Sequence, residues 1–286
     1  MIPKIIHYCW FGRNPLPESA QKCIASWRKY LPDYEIWQWK EKDNLNHPDL
    51  NPNLNPNVND NLNDNLNGSG SGDVLFDKVL GFDVNIIPYT KQAYEAKKYA
   101  FVSDYARYWI LYRYGGLYFD TDVEVIKPLD DIIEKGAFMG IEVPSKDGSL
   151  PLVAPGLGLG VEAGHEFYRQ MLMMYNSLQF VREDGKLDQT TIVSYNTMLL
   201  GELGLRATND VQVVAGITIY PADYFNPLDD LTGKLVITVN TRSIHWYMKS
   251  WQQTSGARQW LSRLSHRLFG LRLHQLKMKI NNSLKR

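Results

Sequence analysis

The chain has 286 residues, 44% hydrophobic and 12% aromatic, enough to bury one large core or two small ones. Its 31 basic and 31 acidic residues cancel, so the total charge argues against a nucleic-acid partner. Cys9 and Cys23 are too few for a disulfide scaffold and read as reduced thiols, and no segment reaches the ~18 apolar residues of a membrane span.

The first residues, MIPKIIHYCWFG, read as a strand over 2–10. They lack the apolar h-region and small-residue cleavage site of a signal peptide, which predicts a cytoplasmic location. Residues 17–30 are helical by pattern, with Ile24 and Trp27 on one side and Arg28 and Lys29 near the end. Pro32 and Asp33 turn the chain into a strand over 34–39, with Tyr34, Ile36 and Gln38 on one face and Glu35, Trp37 and Trp39 on the other. Strand, helix and strand make a βαβ unit, which predicts a parallel sheet.

From 44 to 67 the chain is mostly Asn, Asp, Pro and Leu, and Gly68-Ser69-Gly70-Ser71-Gly72 follows. Such a composition cannot bury a core, and it reads as an insertion over 44–81 ending in a flexible linker. Its spacing matches neither an EF-hand loop nor a Gly-rich nonapeptide repeat. Residues 73–81 read as a short helix and 82–88 as a short strand.

Residues 91–114 read as one helix that leads into SDYARYWILYRYGGLYFDTDVEV, residues 103–125. On that helix Asp104 and Arg107 are three apart and share a face. Gly115 and Gly116 supply the left-handed stop, and Leu117-Tyr118-Phe119 is a buried strand. Asp120 and Asp122 then emerge at its carboxyl end, where an open α/β sheet normally puts its ligand. Two carboxylates so close repel, and a divalent cation is the simplest offset.

Beyond them, strands are expected over 123–126, 137–142, 211–219 and 235–239, and helices over 165–178 and 191–200. Pro128-Leu129-Asp130-Asp131 starts a further helix through Glu134. The helix over 165–178 turns Phe167, Met171, Leu172 and Tyr175 inward. The Gly-rich stretch 154–161, APGLGLGV, lacks the downstream helix and acidic residue of a dinucleotide loop. It reads as backbone pressed close to other backbone. Residues 244–251 are aromatic and cation-studded, and 259–280 form a basic amphipathic helix with no Asp or Glu after Asp230. That tail has two readings, a solvated helix on the domain or attachment to an anionic membrane surface.

Taken singly, Trp10 reads as core packing, Asp104 with Arg107 as an i,i+3 ion pair and His245 as a satisfied core histidine, and their joint occurrence in this order shifts the balance to a nucleotide-sugar site. Trp10 suits stacking on a base, Asp104 accepts from sugar hydroxyls, and Arg107 donates to hydroxyls or phosphate. His245 is a candidate third metal ligand, and Ser250 and Trp251 are candidate phosphate contacts. Three blocks, IPKIIHYCWFG, SDYARYWILYRYGGLYFDTDVEV and IHWYMKSW, resemble the bacterial members of glycosyltransferase family 32, the DxD sugar-transferases of capsular polysaccharide synthesis. More distantly they are similar to the glucosyltransferase domains of large clostridial toxins. The resemblance covers about residues 1–42 and 82–252 and departs at the insertion.

It implies an α/β GT-A fold with a mixed, Rossmann-like sheet over residues 1–256, followed by the tail at 257–286. It also implies Mn²⁺ or Mg²⁺, a nucleotide-diphosphate sugar donor, UDP before GDP, and a glycan or lipid-linked acceptor. By motif, Trp10 would stack the base, and Asp104 and Arg107 would hold the donor sugar. Asp120 would contact ribose and sugar and join Asp122 and His245 at the metal, with Ser250 and Trp251 on the diphosphate. Transfer with retention would leave deprotonation of the acceptor to the diphosphate, and no lone carboxylate stands out as a protein base. Two other readings stay open. A haloacid-dehalogenase-type phosphatase also places a DxD at a strand end, with the first Asp as nucleophile, but Glu124 stands where that motif wants Val or Thr. A non-catalytic carbohydrate- or Ca²⁺-binding protein would suit the Asn-rich run.

Overall fold

The computed structural model describes residues 1–42 and 75–248. Strand β1 (Ile5–Cys9), helix α1 (Glu18–Tyr30) and strand β2 (Glu35–Glu41) form the expected βαβ unit, with β1 and β2 parallel. Strand β3 (Lys78–Phe82) adds parallel to β2. Helices α2 (Pro88–Glu95) and α3 (Tyr99–Tyr114) lead to β4 (Gly116–Tyr118), which lies parallel to β1 on its other side. Then come β5 (Val123–Val125), α4 (Asp130–Ile133), β6 (Phe138–Val143), β7 (Leu152–Ala154), β8 (Leu159–Val161), α5 (Glu166–Asn176) and α6 (Ile192–Glu202). A hairpin of β9 (Gln212–Val214) and β10 (Ile217–Tyr220), α7 (Ala222–Phe225) and β11 (Ser243–His245) follow.

The main sheet runs β3-β2-β1-β4-β8-β6-β10-β9, with β7 paired to β6. Only β7, β8 and β9 run against the rest, so the carboxyl ends of β1, β4 and β6 share one edge. The sheet is therefore mixed and covered on both faces, the α/β arrangement expected of a GT-A fold. One core layer packs α2, α3, α5 and α6 on Trp39, Phe82, Met139 and Leu159. The other packs α1, α4 and α7 on Ile6, Tyr8, Leu117 and Phe138. Ile6 and Tyr8 thus face one layer and Cys9 the other, which is why β1 is apolar almost throughout. Both cysteines are free and buried, and burial pushes their thiols up to about 12, so neither is reactive.

Helix α1 forms for the reasons its pattern gives. Ala20, Cys23, Ile24 and Trp27 make one buried stripe, Glu18 lies in the first turn, and Arg28 and Lys29 in the last, matching the helix dipole. It holds the chain just beyond the aspartate pair: the Trp27 indole N–H donates to the Val123 carbonyl at 2.7 Å, and Ser26 Oγ accepts from Val125 N–H at 2.9 Å.

Several expectations need correction. Residues 78–82 are the strand β3, where a helix over 73–81 and a strand from 82 were expected, because Leu80 and Phe82 alternate into the core. The helix expected over 91–114 is two helices. Lys97 N–H bonds Tyr94 O and Lys98 N–H bonds Ala93 O, a Schellman stop with Lys97 at φ 57° where glycine is usual. The strand expected over 211–219 is a hairpin whose two-residue turn, Ala215-Gly216, has positive φ at both positions. Residues 235–239 form no strand beyond a single bridge from Leu235 to Leu228, and Val236, Ile237 and Val239 are exposed. The Asn-rich run, Ser250, Trp251 and the basic tail lie outside the described residues. Among the described residues no helix is long and apolar enough to cross a membrane.

Candidate active site

The edge of the sheet carries two linked polar groups. The first is built on α3. Arg107 is 4% exposed, and its Nη2 lies 3.1 Å from Asp104 Oδ1 and 3.3 Å from Asp120 Oδ1. Nη1 reaches Asp120 Oδ2 at 3.4 Å, Nε donates to the Ser103 carbonyl at 3.2 Å, and the guanidinium sits 4.8 Å above the Tyr118 ring. One cation thus serves two carboxylates. Burial pushes Asp104 up to about 7 although Arg107 pulls it down, whereas Arg107 itself stays charged, held chiefly by Asp120 against its own burial. Burial thus favours the neutral form of Asp104 and Arg107 the charged form.

The chain reaches this geometry through glycine. Gly115 adopts φ 63°, ψ −161°, a region essentially reserved for glycine rather than the left-handed helical stop expected. A Cβ on Gly116 would lie 2.6 Å from the Ile5 carbonyl, so only glycine lets β4 close on β1. The Gly-rich stretch before β8 is pressed against the site, as its composition suggests. Asp120 N–H donates to the Gly156 carbonyl at 3.1 Å, and a Cβ at Gly156 would stand on Asp120 Oδ2.

The second group surrounds Asp122. Its Oδ1 lies 3.1 Å from His245 Nε2, its Oδ2 accepts from Met248 N–H at 2.9 Å, and its carbonyl accepts from Trp246 N–H at 2.9 Å. Burial alone would raise the Asp122 carboxyl, but His245 and the Met248 amide bring it below its ordinary value. Burial alone would lower His245, but Asp122 lifts it, so the two form an ion pair. The pairing of β11 with β5 puts His245 opposite Val123 and so beside Asp122.

The three expected metal ligands are not gathered into one set. Asp120 turns to Arg107, Asp122 to His245, and no group of three candidate ligands is close enough to hold an ion among the described residues. The donor chemistry nevertheless fits a hard divalent cation. Asp122 is an ionised, mostly buried carboxylate and Asp120 is one third exposed at the same edge, while His245, whose buried Nδ1 has no hydrogen-bond partner, would ligate only on giving up the proton that Asp122 favours. Trp10 stands past the end of β1 at this edge, half-buried, its indole N–H donating to Asn14 O at 2.7 Å. It touches neither group. Glu124 accepts from the Trp246 indole at 2.9 Å, which ties the segment after β11 to β5.

Sequence reasoning missed Glu142, Asn226 and Tyr247. Glu142 lies one residue before the end of β6 at the same edge, and burial raises its carboxyl. Its signal was available: it is the one charged residue in the strand FMGIEV. Asn226 and Tyr247 carry no local signal and meet Glu142 only through the fold.

Residues 17–139 match the family model described as a glycosyltransferase sugar-binding region containing a DXD motif. The match includes Asp104, Arg107, Asp120 and Asp122 and stops short of His245. Inositol phosphoceramide mannosyltransferase 1 of Schizosaccharomyces pombe is 28% identical over 141 residues, 48% of this chain and 33% of that protein. Inositol phosphoceramide mannosyltransferase 3 of the same yeast is 25% identical over 172 residues, 60% of this chain and 36% of that protein. The chain thus spans about a third of the length of the curated relatives it matches. The solved structure of the PaToxG glycosyltransferase overlaps 70% of this chain and 69% of its own, at 17% identity and a TM-score of 0.44.

Proposed function

We propose that this chain, a glycosyltransferase of the GT-A fold, moves a sugar from a nucleotide-diphosphate sugar to a glycan or glycolipid acceptor, with a divalent metal and with retention of configuration. The observation that carries the reading is the convergence at one sheet edge of the Asp104–Arg107–Asp120 network and the Asp122–His245 pair. The first is a polar wall for a sugar. The second is a place for a cation and a diphosphate.

In this reading Asp122, with Asp120 and His245, would hold Mn²⁺ or Mg²⁺, and the ion would supply positive charge to the leaving diphosphate. The chain's own part is to bind and orient. Asp104 and Arg107 grip sugar hydroxyls, and the packing of Arg107 on Tyr118 keeps the guanidinium from following the leaving group. Gly156 lets the loop before β8 close on Asp120, where any side chain would collide with the carboxylate. Trp10 supplies an aromatic face for the base. Retention is the stereochemistry that the resemblance implies, with the leaving diphosphate rather than a protein carboxylate taking the acceptor proton. The names of the two yeast relatives favour a lipid-linked acceptor.

Thermal unfolding with Mn²⁺ and a panel of UDP- and GDP-sugars tests the reading. One donor at about 100 times its dissociation constant adds roughly 2.7 kcal/mol, a rise of several degrees that shrinks when Mn²⁺ is left out. If no nucleotide-sugar protects the chain, the reading fails. Proton NMR of the product's anomeric centre checks retention, which an inverted product would exclude.

A further inference from the structure

Asp122 is gripped by one short segment. His245 Nε2 and Met248 N–H take its two carboxylate oxygens and Trp246 N–H takes its carbonyl. No extended chain presents all three. The segment must reverse between Trp246 and Met248, and it does so at Tyr247, whose φ of 52° lies in the left-handed region that bulky L residues avoid. A strained residue of this kind persists only where its surroundings over-determine it.

Those surroundings are specific. Tyr247 Oη donates to Glu142 Oε1 at 3.2 Å and accepts from Asn226 Nδ2 at 2.7 Å. The same Asn226 amide donates to the Glu142 carbonyl at 3.0 Å, which fixes the way the amide faces. The Tyr247 ring lies 4.1 Å from that of His245. On the other side, the Trp246 indole is tied to Glu124 at 2.9 Å. Two anchors therefore flank the reversal. One is built on the end of β6 and the C-cap of α7, the other on β5.

We propose that Tyr247 is a positioning residue: held by Glu142 and Asn226, it locks residues 245–248 as a clasp on Asp122 and so sets the carboxylate that receives the metal. The metal half rests on the proposed function; the clasp does not. Tyr247→Phe removes the hydroxyl and leaves the ring. Hydrogen–deuterium exchange of the 244–248 amides is expected to rise at least about tenfold in this variant, while β1 and β4 exchange as in the wild type. Unchanged exchange in 244–248 overturns the proposal. Mn²⁺ alone, titrated by electron paramagnetic resonance, is expected to half-saturate the variant at about fivefold higher concentration, the effect of one lost hydrogen-bonded anchor. A purely structural role would move the melting temperature equally with and without Mn²⁺ and leave this titration unchanged, which also overturns it. Trp246→Phe, which cuts the other anchor, is expected to move both readouts the same way. A wild-type chain that binds no Mn²⁺ while Tyr247→Phe still loosens 244–248 would count against the transferase reading and support the clasp.

Discussion

Replacing Arg107 by Met is expected to lower the stability of the chain by about 3–5 kcal/mol at pH 8, the cost of leaving a buried carboxylate without its partner. Methionine fills the space of the Arg107 stem, so packing is largely kept. Asp120 has a side chain 32% exposed and can turn to water. Asp104 is 8% exposed and cannot. The loss is therefore mainly that of Asp104, and it depends on pH. Burial already pushes Asp104 up to about 7 against the pull of Arg107, and without the cation it rises further. The folded variant then carries a proton on Asp104 that the unfolded chain, with an ordinary carboxyl near 3.9, has released. The folded state binds more protons, so the variant loses stability as pH rises through this window. Urea unfolding of both proteins at pH 5 and pH 8 reads the effect. The gap between them is expected to be smaller at pH 5, and Asp104→Asn added to Arg107→Met to recover part of it at pH 8. A gap below ~1 kcal/mol at pH 8 would contradict the assignment of Arg107 as the cation shared by two carboxylates.

The second large effect belongs to His7, at the centre of the sheet. Its Nε2–H donates to the Gly115 carbonyl at 3.0 Å, and its Nδ1 accepts from the Trp39 indole at 3.2 Å. These two bonds satisfy a neutral imidazole completely. A second ring proton would point at the indole N–H. Burial accordingly lowers His7 to about 3. The unfolded chain takes up a proton near pH 6.5 and the folded chain does not until about 3, so His7 costs about 1.4 kcal/mol of stability per pH unit as pH falls below ~6.5. Asp104 works in the opposite direction over part of that range, so the wild type alone would conceal the effect. The difference between wild type and His7→Gln does not. Glutamine keeps the donor to Gly115 and gives up the bond to Trp39, so it is expected to be about 1–2 kcal/mol less stable at pH 7.5. Having no proton to gain, it overtakes the wild type near pH 5. A stability difference constant from pH 7.5 to 4.5 would show that His7 is not held neutral.

Both effects come from residues that hold α3 and β4 in place, and they differ in how readable they were. Asp104 and Arg107 were legible because a helix puts residues three apart on one face. Asp120 and Asp122 were legible because apolar residues ending at a carboxylate pair mark a strand's carboxyl end. The shared role of Arg107 was not, because the 13-residue path from Arg107 to Asp120 closes only when β4 returns beside β1. Glu142, Asn226 and Tyr247 stand apart in the sequence and meet only because β8 runs backwards between β4 and β6. The break at Lys97 hid because lysine takes a place where glycine is the usual signal. The exposed run at 235–239 misled in the other direction. Val236, Ile237 and Val239 have β propensity without a face to bury.

Asp104 and Arg107 lie on the expected helix and Asp120 and Asp122 follow the expected strand. The resemblance to DxD transferases did not foresee that Asp120 would turn to Arg107 while Asp122 turns to His245. On the proposed function, that division separates a sugar-facing group from a cation-facing one and makes Asp122 the residue to test first. Asparagine at 122 keeps the shape and an acceptor for Met248 N–H but removes the charge that faces His245. The decisive measurement is Mn²⁺-dependent release of nucleoside diphosphate from the protecting donor, by wild type and by Asp122→Asn. Release that needs Mn²⁺ in the wild type and falls by roughly 10²–10³-fold in a variant that still unfolds cooperatively is the predicted result. Undiminished release by Asp122→Asn, or liberation of inorganic phosphate from a phosphomonoester with no turnover of any nucleotide-sugar, would contradict it.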